Sequence, residues 1–376
     1  MSYKRINKRI NEIKSKNSNM YKSNDKVFVR KRKMEFTDFV WYLIMQKGRT
    51  TSMELDEYLK NKNGTYKISI SKQAFSKQRK NLKPQIFIDI YKDYLLDFYH
   101  NYPKEINTFK GYIVCGIDGS LFEIPNTKEL REEYKTQKNS SGDRESARAR
   151  VSGIYDVENG FMVDALIKDC GEGEKELAKK NIENAGKILD LEKCIIIFDR
   201  GYPGIDLIWY LEKLNIKYIF RLQTKMYKKE KKSMETEDEW IELNVAGDRL
   251  RKISDKETKE ELKAQKTLKV RMSKVVLDTG EIEYWLSNIP EEMKETYFKR
   301  WQIEIGYDIL KNKLHLENFT GKTKITIEQD FYAQGYPKYY ELPTDMSDAR
   351  LYKQAGNSVV VPVINRIAEN IMKALK

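Results

Sequence analysis

Residues 194–202 read C-I-I-I-F-D-R-G-Y, an unbroken apolar run that closes on Asp199, Arg200 and Gly201. A short β-branched run ended by turn residues is the pattern of a strand buried on both faces, as in a covered, largely parallel sheet. Residues 112–118 repeat it: Y-I-V-C-G-I closes on Asp118, followed by Gly119 and Ser120. Groups at the carboxyl ends of such strands line the working crevice of an open α/β sheet, so both aspartates are expected in one site. Either Asp taken alone also suits a turn former or a helix cap.

Outward from these two runs, strands and helices alternate. Residues 149–155 and 160–167 have strand composition, 174–189 a helical one, 205–214 another helix, and 218–221 a further strand. The alternation predicts a mixed α/β core whose first part spans 110–223. Residues 224–285 change texture: a dense charged stretch, K-M-Y-K-K-E-K-K-S-M-E-T-E-D-E-W-I-E-L, precedes strand-like pieces such as 267–276. They read as a β-rich insertion subdomain hung from the core. Residues 286–333 hold the longest helical pattern, 291–314, and the end of the core.

Upstream, residues 1–34 form a basic arm, with twelve Lys and Arg against Glu12 and Asp25. Residues 35–105 read as a helical domain. Ile6, Ile10 and Ile13 fall at helical spacing, 35–46 (E-F-T-D-F-V-W-Y-L-I-M-Q) is a buried-helix pattern, and 71–82 carries Ser and Lys on a face that could lie against phosphates. The bundle resembles a helix-turn-helix arrangement, and a plain helical domain would have the same pattern.

The whole chain has 70 Lys and Arg against 57 Asp and Glu, net +13, which suits a polyanionic partner such as nucleic acid. Its richness in Lys, Ile, Asn and Tyr also fits a coding bias toward A and T. With 376 residues, 40% of them hydrophobic, it can bury a sizeable core, which excludes a wholly disordered chain. No stretch approaches the ~18 consecutive apolar residues of a membrane span, and the basic N-terminus lacks the apolar run of a secretory signal. Cys115, Cys170 and Cys194 lie far apart, against a zinc ribbon or a disulfide framework. The expectation is a cytoplasmic, nucleoid-associated protein.

On the 291–314 pattern, Tyr297, Arg300, Glu304 and Lys311 stand three, four and seven residues apart. At ~100° per residue they share an arc of roughly 60°. Phe298, Trp301, Ile305 and Ile309 flank it on one side, and Ile303, Leu310 and Leu314 on the other. An acid between two bases and a phenol, bordered by apolar residues, fits the wall of a site better than a solvated face.

These residues carry a family resemblance. Y-F-K-R-W-Q-I-E-I-G-Y-D-I-L-K resembles the Y-(2)-R-(3)-E-(6)-K signature of the IS4-type DDE transposases, and D-G-S (118–120) and D-R-G-Y (199–202) resemble the family's first and second aspartate motifs, in order. Residues 317–333 also resemble the family's segment C-terminal to the signature, so the likeness covers about 35–333. It implies an RNase H-like catalytic core, preceded by a helical N-terminal DNA-binding domain. It further implies Asp118, Asp199 and Glu304 as catalytic, metal-binding triad for two Mg²⁺ ions, with Mn²⁺ as a substitute. Oxygen ligands suit hard cations, and a chain with only His100 and His315 is poorly equipped for zinc. Tyr297, Arg300 and Lys311 are expected at DNA phosphates. Trp285 is either a base-stacking aromatic or core, and Arg200 either a DNA contact or a local ion pair. The implied partners are element-end and target DNA and a second copy of the chain, with no membrane.

From about residue 334 the chain departs from that pattern. Q-G-Y-P (334–337) and K-Q-A-G-N-S-V (353–359) resemble the last blocks of DNA cytosine-5 methyltransferases. That family's nucleophile is a cysteine after proline, whereas Cys115, Cys170 and Cys194 follow Val, Asp and Lys, and no F-x-G-x-G loop is present. The tail, 334–376, thus reads as a methyltransferase-like end joined to a transposase. The expected activity is Mg²⁺-dependent cleavage and strand transfer; the alternative is a defective hybrid that only binds DNA.

Overall fold

The computed structural model describes residues 3–30, 32–46, 49–64, 69–138, 145–251, 253–277, 279–290, 296, 297, 299 and 319–334. Among them, strands β1 (Ile113–Glu123), β2 (Thr136–Lys138), β3 (Glu145–Asp156), β4 (Phe161–Asp169), β5 (Cys194–Phe198), β6 (Lys217–Arg221), β7 (Asp238–Asn244), β8 (Thr267–Val276) and β9 (Ile282–Ser287) form one sheet. Its order is β2-β3-β1-β5-β6-β9-β8-β7, with β4 also on β3. The β1–β5 and β5–β6 pairs are parallel, and the rest are antiparallel. The fold is mixed α/β.

The centre follows from side-chain chemistry. All five residues of β5 are buried, and each large apolar side chain removed from water contributes ~1.5–3 kcal/mol before conformational entropy is counted. Cys115, Ile117, Cys194, Ile196 and Phe198 pack into the main core on one face. Val114, Ile195, Ile197 and Ile219 line the other, where Trp285, Ile289 and Tyr297 join them. Helices α1 (Tyr3–Glu12), α2 (Phe36–Ile44), α3 (Thr51–Asn63), α4 (Lys72–Arg79) and α5 (Gln85–Asn101) precede the sheet. In α2 the Asp38 carboxylate reaches back to the Glu35 N–H at 2.6 Å, closing a capping box ahead of a run of buried residues. Helices α6 (Lys128–Tyr134), α7 (Glu174–Ala185), α8 (Ile205–Lys213), α9 (Lys228–Ser233), α10 (Asp248–Arg251) and α11 (Lys256–Gln265) are interleaved with the strands.

A last described helix, α12 (Lys324–Gln334), packs against α2, α5 and α6 and so ties the first helices to the sheet. Besides apolar packing, the tie contains a buried polar network. Arg79 at the end of α4, 2% exposed, donates from Nε to Gln329 (2.6 Å), from Nη1 to Thr320 (2.7 Å), and from Nη2 to the Thr326 carbonyl (2.7 Å) and Asp330 (2.5 Å). Gln329 answers by donating to the Arg79 carbonyl at 3.0 Å and to that of Leu82.

Two expectations change. First, β1 does not end at Asp118: its antiparallel partner β3 carries it on to Glu123, while its parallel partner β5 stops at Phe198. Gly119-Ser120 looks like a turn in sequence, but here it is strand, held by pairing on one side. Second, residues 224–285 are not hung beside the core, because β9 pairs with β6 and extends the same sheet through β8 to β7. On α4, Arg79 is turned inward to α12, while Lys72, Lys77 and the following Lys80 are exposed. Most of the 291–314 pattern and all of 335–376 lie outside the described residues. No described helix is long and apolar enough to cross a membrane.

Candidate active site

Strands β1 and β5 run parallel with Ile117 opposite Phe198 as their last paired position. Side chains alternate along a strand. Ile117 and Phe198 face the main core, so the next residues, Asp118 and Asp199, lie side by side toward the opposite face, with Val114, Ile195 and Ile197 behind them. Parallel pairing in register thus brings together two aspartates from distant parts of the sequence.

Both are half-buried. Asp118 Oδ1 accepts the Gly119 N–H at 2.8 Å. Asp199 Oδ1 is buried and has no hydrogen-bond partner among the described residues. Buried carboxylate oxygens are ordinarily satisfied, and an orphan of this kind is where a bound ion is expected. A carboxylate oxygen without an N–H donor among the described residues, near a second carboxylate, fits a hard divalent cation better than it fits a structural ion pair. Among the described residues no cluster of three or more His, Cys, Asp and Glu has metal-holding geometry. Glu304, the third acid of the sequence pattern, lies outside them together with Arg300 and Lys311.

The start of that third element is described, and it docks on the same face. Tyr297 is buried with its ring centroid 4.5 Å from that of Trp285. Lys299 pairs with Glu158 in the β3–β4 turn and sits over the Phe109 ring at 4.9 Å. Tyr297, the first residue of the Y-(2)-R-(3)-E-(6)-K stretch, thus packs on the face of the sheet opposite the main core.

Trp285 is 3% exposed, packed on Tyr297 within the apolar layer; stacking on a base would require it to leave that packing. Arg200, next to Asp199, takes the ion-pair arrangement: its Nη2 is 3.0 Å from Glu283 Oε1. Arg221 on β6 reaches the same oxygen, and Trp285 Nε1 donates to Glu283 Oε2 at 3.4 Å. Glu283 and Arg221 escaped the sequence reading. The available signal was the alternation of β9, which puts Glu283 on the same side of the strand as Trp285: an acid on the buried face of a strand needs cations.

A family profile described as "Transposase DDE domain" matches residues 109–334, more than half the chain, and the chain belongs to that family. Short stretches are similar to other proteins. Type II methyltransferase M.Bsp6I of Bacillus sp. (strain RFL6) is 56% identical over 55 residues, 15% of this chain and 17% of that one. Type II methyltransferase M1.ScrFI of Lactococcus lactis subsp. cremoris is 35% identical over 96 residues, 25% of this chain and 22% of that one. The chain therefore spans less than a quarter of the length of either curated relative. Among solved structures, a piggyBac transposase synaptic complex with hairpin DNA overlays at a TM-score of 0.42 and 11% identity, covering 88% of this chain and 70% of that one.

Proposed function

We propose that this chain is a DNA transposase of the IS4 type that hydrolyses and transfers phosphodiester bonds at the ends of an insertion element. The observation that carries the reading is Asp118 and Asp199, each one residue past the last in-register pair of β1 and β5 and one of them with an orphaned buried oxygen, in a chain of the DDE family. Three antiparallel strands leading into two parallel ones, with the aspartates on the central pair, support an RNase H-like core.

Asp118, Asp199 and Glu304 would hold Mg²⁺, with Mn²⁺ as a substitute. When bound, the metal supplies an activated water or 3′-hydroxyl and neutralises charge on the leaving oxygen. The chain's own part is positioning. Buried β1 and β5 fix the two aspartates on a rigid sheet, and Tyr297, packed on Trp285, fixes the start of the segment that carries Arg300, Glu304 and Lys311. Arg300 and Lys311 suit phosphate oxygens as a planar fork and a point charge. Residues 1–34 add a basic arm for the duplex, and synapsis of two ends calls for a second copy. A cytoplasmic, nucleoid-associated location goes with this work.

A second reading, a hybrid that binds DNA without cutting it, draws on one observation: the family match stops at residue 334, where the methyltransferase-like tail begins. One experiment separates the two. Full-length protein is incubated with the DNA flanking its gene and Mg²⁺, beside Asp199→Asn and Glu304→Gln. Cleavage at inverted-repeat ends that is lost in both variants supports the transposase. Binding without metal-dependent cleavage supports the hybrid.

A further inference from the structure

The cluster around Glu283 has a stoichiometry that its structural role leaves unexplained. Glu283 has a side chain only 4% exposed, and both its oxygens are taken: Oε1 by Arg200 and Arg221, and Oε2 by Trp285. One buried carboxylate therefore answers two guanidiniums, leaving one positive charge in excess among these three groups. Each guanidinium carries five N–H donors in a fixed fork. Among the described residues only Nη2 of each Arg is engaged, and Nε of Arg200 and Nε of Arg221 are buried without a partner. A pair needed only to neutralise Glu283 would be complete with one arginine. The second brings N–H donors that no described protein group accepts.

Position says what uses them. Arg200 directly follows Asp199, and its side chain is 42% exposed. Its backbone is fixed from behind, since Gln223 Nε2 donates to its carbonyl at 3.0 Å. A cation held one residue from the aspartate, with an open side and spare parallel donors, is shaped for a tetrahedral oxyanion.

We propose that Glu283 is a positioning residue that sets Arg200 and Arg221 as a two-guanidinium clamp for a DNA phosphodiester beside Asp199. The inference rests on the transposase reading for the identity of its ligand. It adds to that reading a phosphate subsite supplied by β6, β9 and the turn after β5 rather than by the Y-(2)-R-(3)-E-(6)-K segment. Glu283 prevents the two like charges from splaying apart.

The test reads arginines one at a time and does not depend on cleavage. Full-length protein is treated with phenylglyoxal in EDTA, with and without a saturating duplex containing the element end. Adducts at Arg200 and Arg221 are quantified by peptide mass spectrometry, with Arg251, 78% exposed on α10, as the reference. The proposal expects the duplex to lower modification of Arg200 by roughly fivefold or more, as a charge-assisted bidentate contact would, while Arg251 stays reactive. Glu283→Gln should make Arg200 and Arg221 more reactive without DNA and abolish selective protection at Arg200. Arg221→Lys, which keeps charge but loses the fork, should weaken protection and guards against a Glu283 variant that fails to fold. Unchanged Arg200 reactivity under duplex, or an equal fall at Arg200 and Arg251, overturns the proposal. Protection that survives Glu283→Gln overturns the role of Glu283. If Arg200 is protected but the wild type never cleaves with Mg²⁺, the clamp stands and the transposase reading fails.

Discussion

Arg79 and Glu283 are both charged, both buried, and differ in how their surroundings answer them. Around Arg79 every guanidinium nitrogen is engaged: Asp330, Gln329, Thr320 and a carbonyl take four of its five N–H groups, and Asp330 is itself held by the N–H groups of Thr320 and Gly321, each at 2.9 Å. Around Glu283 donors outnumber acceptors, and two guanidinium Nε–H groups are left over. A closed network has nothing to offer a ligand and works as a joint. An open one, next to an aspartate with an orphaned oxygen, has capacity to spare. Satisfaction, rather than burial or charge, distinguishes the cluster that joins two parts of the fold from the one proposed to hold a phosphate.

The sharpest way to break this comparison is Arg79→Leu. It strands the Asp330 carboxylate, whose side chain is 5% exposed, and removal of one partner from a buried pair costs about 3–5 kcal/mol. Urea unfolding of the variant should show that loss; a change below ~1 kcal/mol would mean the joint contributes packing and no charge pairing. Asp199→Asn sits at the other pole. It neutralises a carboxylate whose buried Oδ1 has no hydrogen-bond partner among the described residues, so stability should hold within about 1 kcal/mol or rise, while metal-dependent cleavage falls by ~10³-fold or more, ~4 kcal/mol in barrier. Equal losses of stability and cleavage would erase the distinction.

Asp164 gives an intermediate case: a carboxylate held by the amides of Asn181 (2.8 Å) and Asn184 (3.2 Å) rather than by a close cation. Burial pushes its carboxyl up to about 6, against the opposing hydrogen bonds. The unfolded chain loses this proton near pH ~4 and the folded chain only near 6, so unfolding releases a proton in between and stability falls as pH rises across that window. Asp164→Asn should flatten this slope and raise stability at neutral pH by about 1–2 kcal/mol, read from urea midpoints at pH 4, 5, 6 and 7. The smallest effect belongs to Arg251–Asp248, with side chains 78% and 81% exposed. Arg251→Ala should move stability by less than ~0.5 kcal/mol, as solvent already satisfies both partners.

The sequence was most informative where chemistry is local. The bounds of β5 and β8 follow from their own composition, and the parallel meeting of Asp118 with Asp199 could be anticipated because each follows a buried run. The length of β1 was hidden because it depends on β3, a partner whose pairing no local pattern announces. The two ion clusters were hidden for the same reason: Arg200 and Glu283 are 83 residues apart, and Arg79 and Asp330 are 251. Arg79 sits in a basic, Ser-rich helix, so its composition points to solvent or phosphate, and only the distant α12 turns it inward. Trp285 stood between two readings in sequence, and its burial against Tyr297 was not contained in either strand alone.

The joint at Arg79 also has a meaning in time. Asp330 is synthesised 251 residues after Arg79, which at ~5–20 residues per second is roughly 12–50 s of translation. Throughout that interval the first helices stand outside the ribosome without α12 against α2, and Arg79 keeps its water. A segment made well before α12 is thus finished only after it, and a ribosome stalled before residue 320 releases a product whose apolar α2 surface is left for a chaperone or a protease to find.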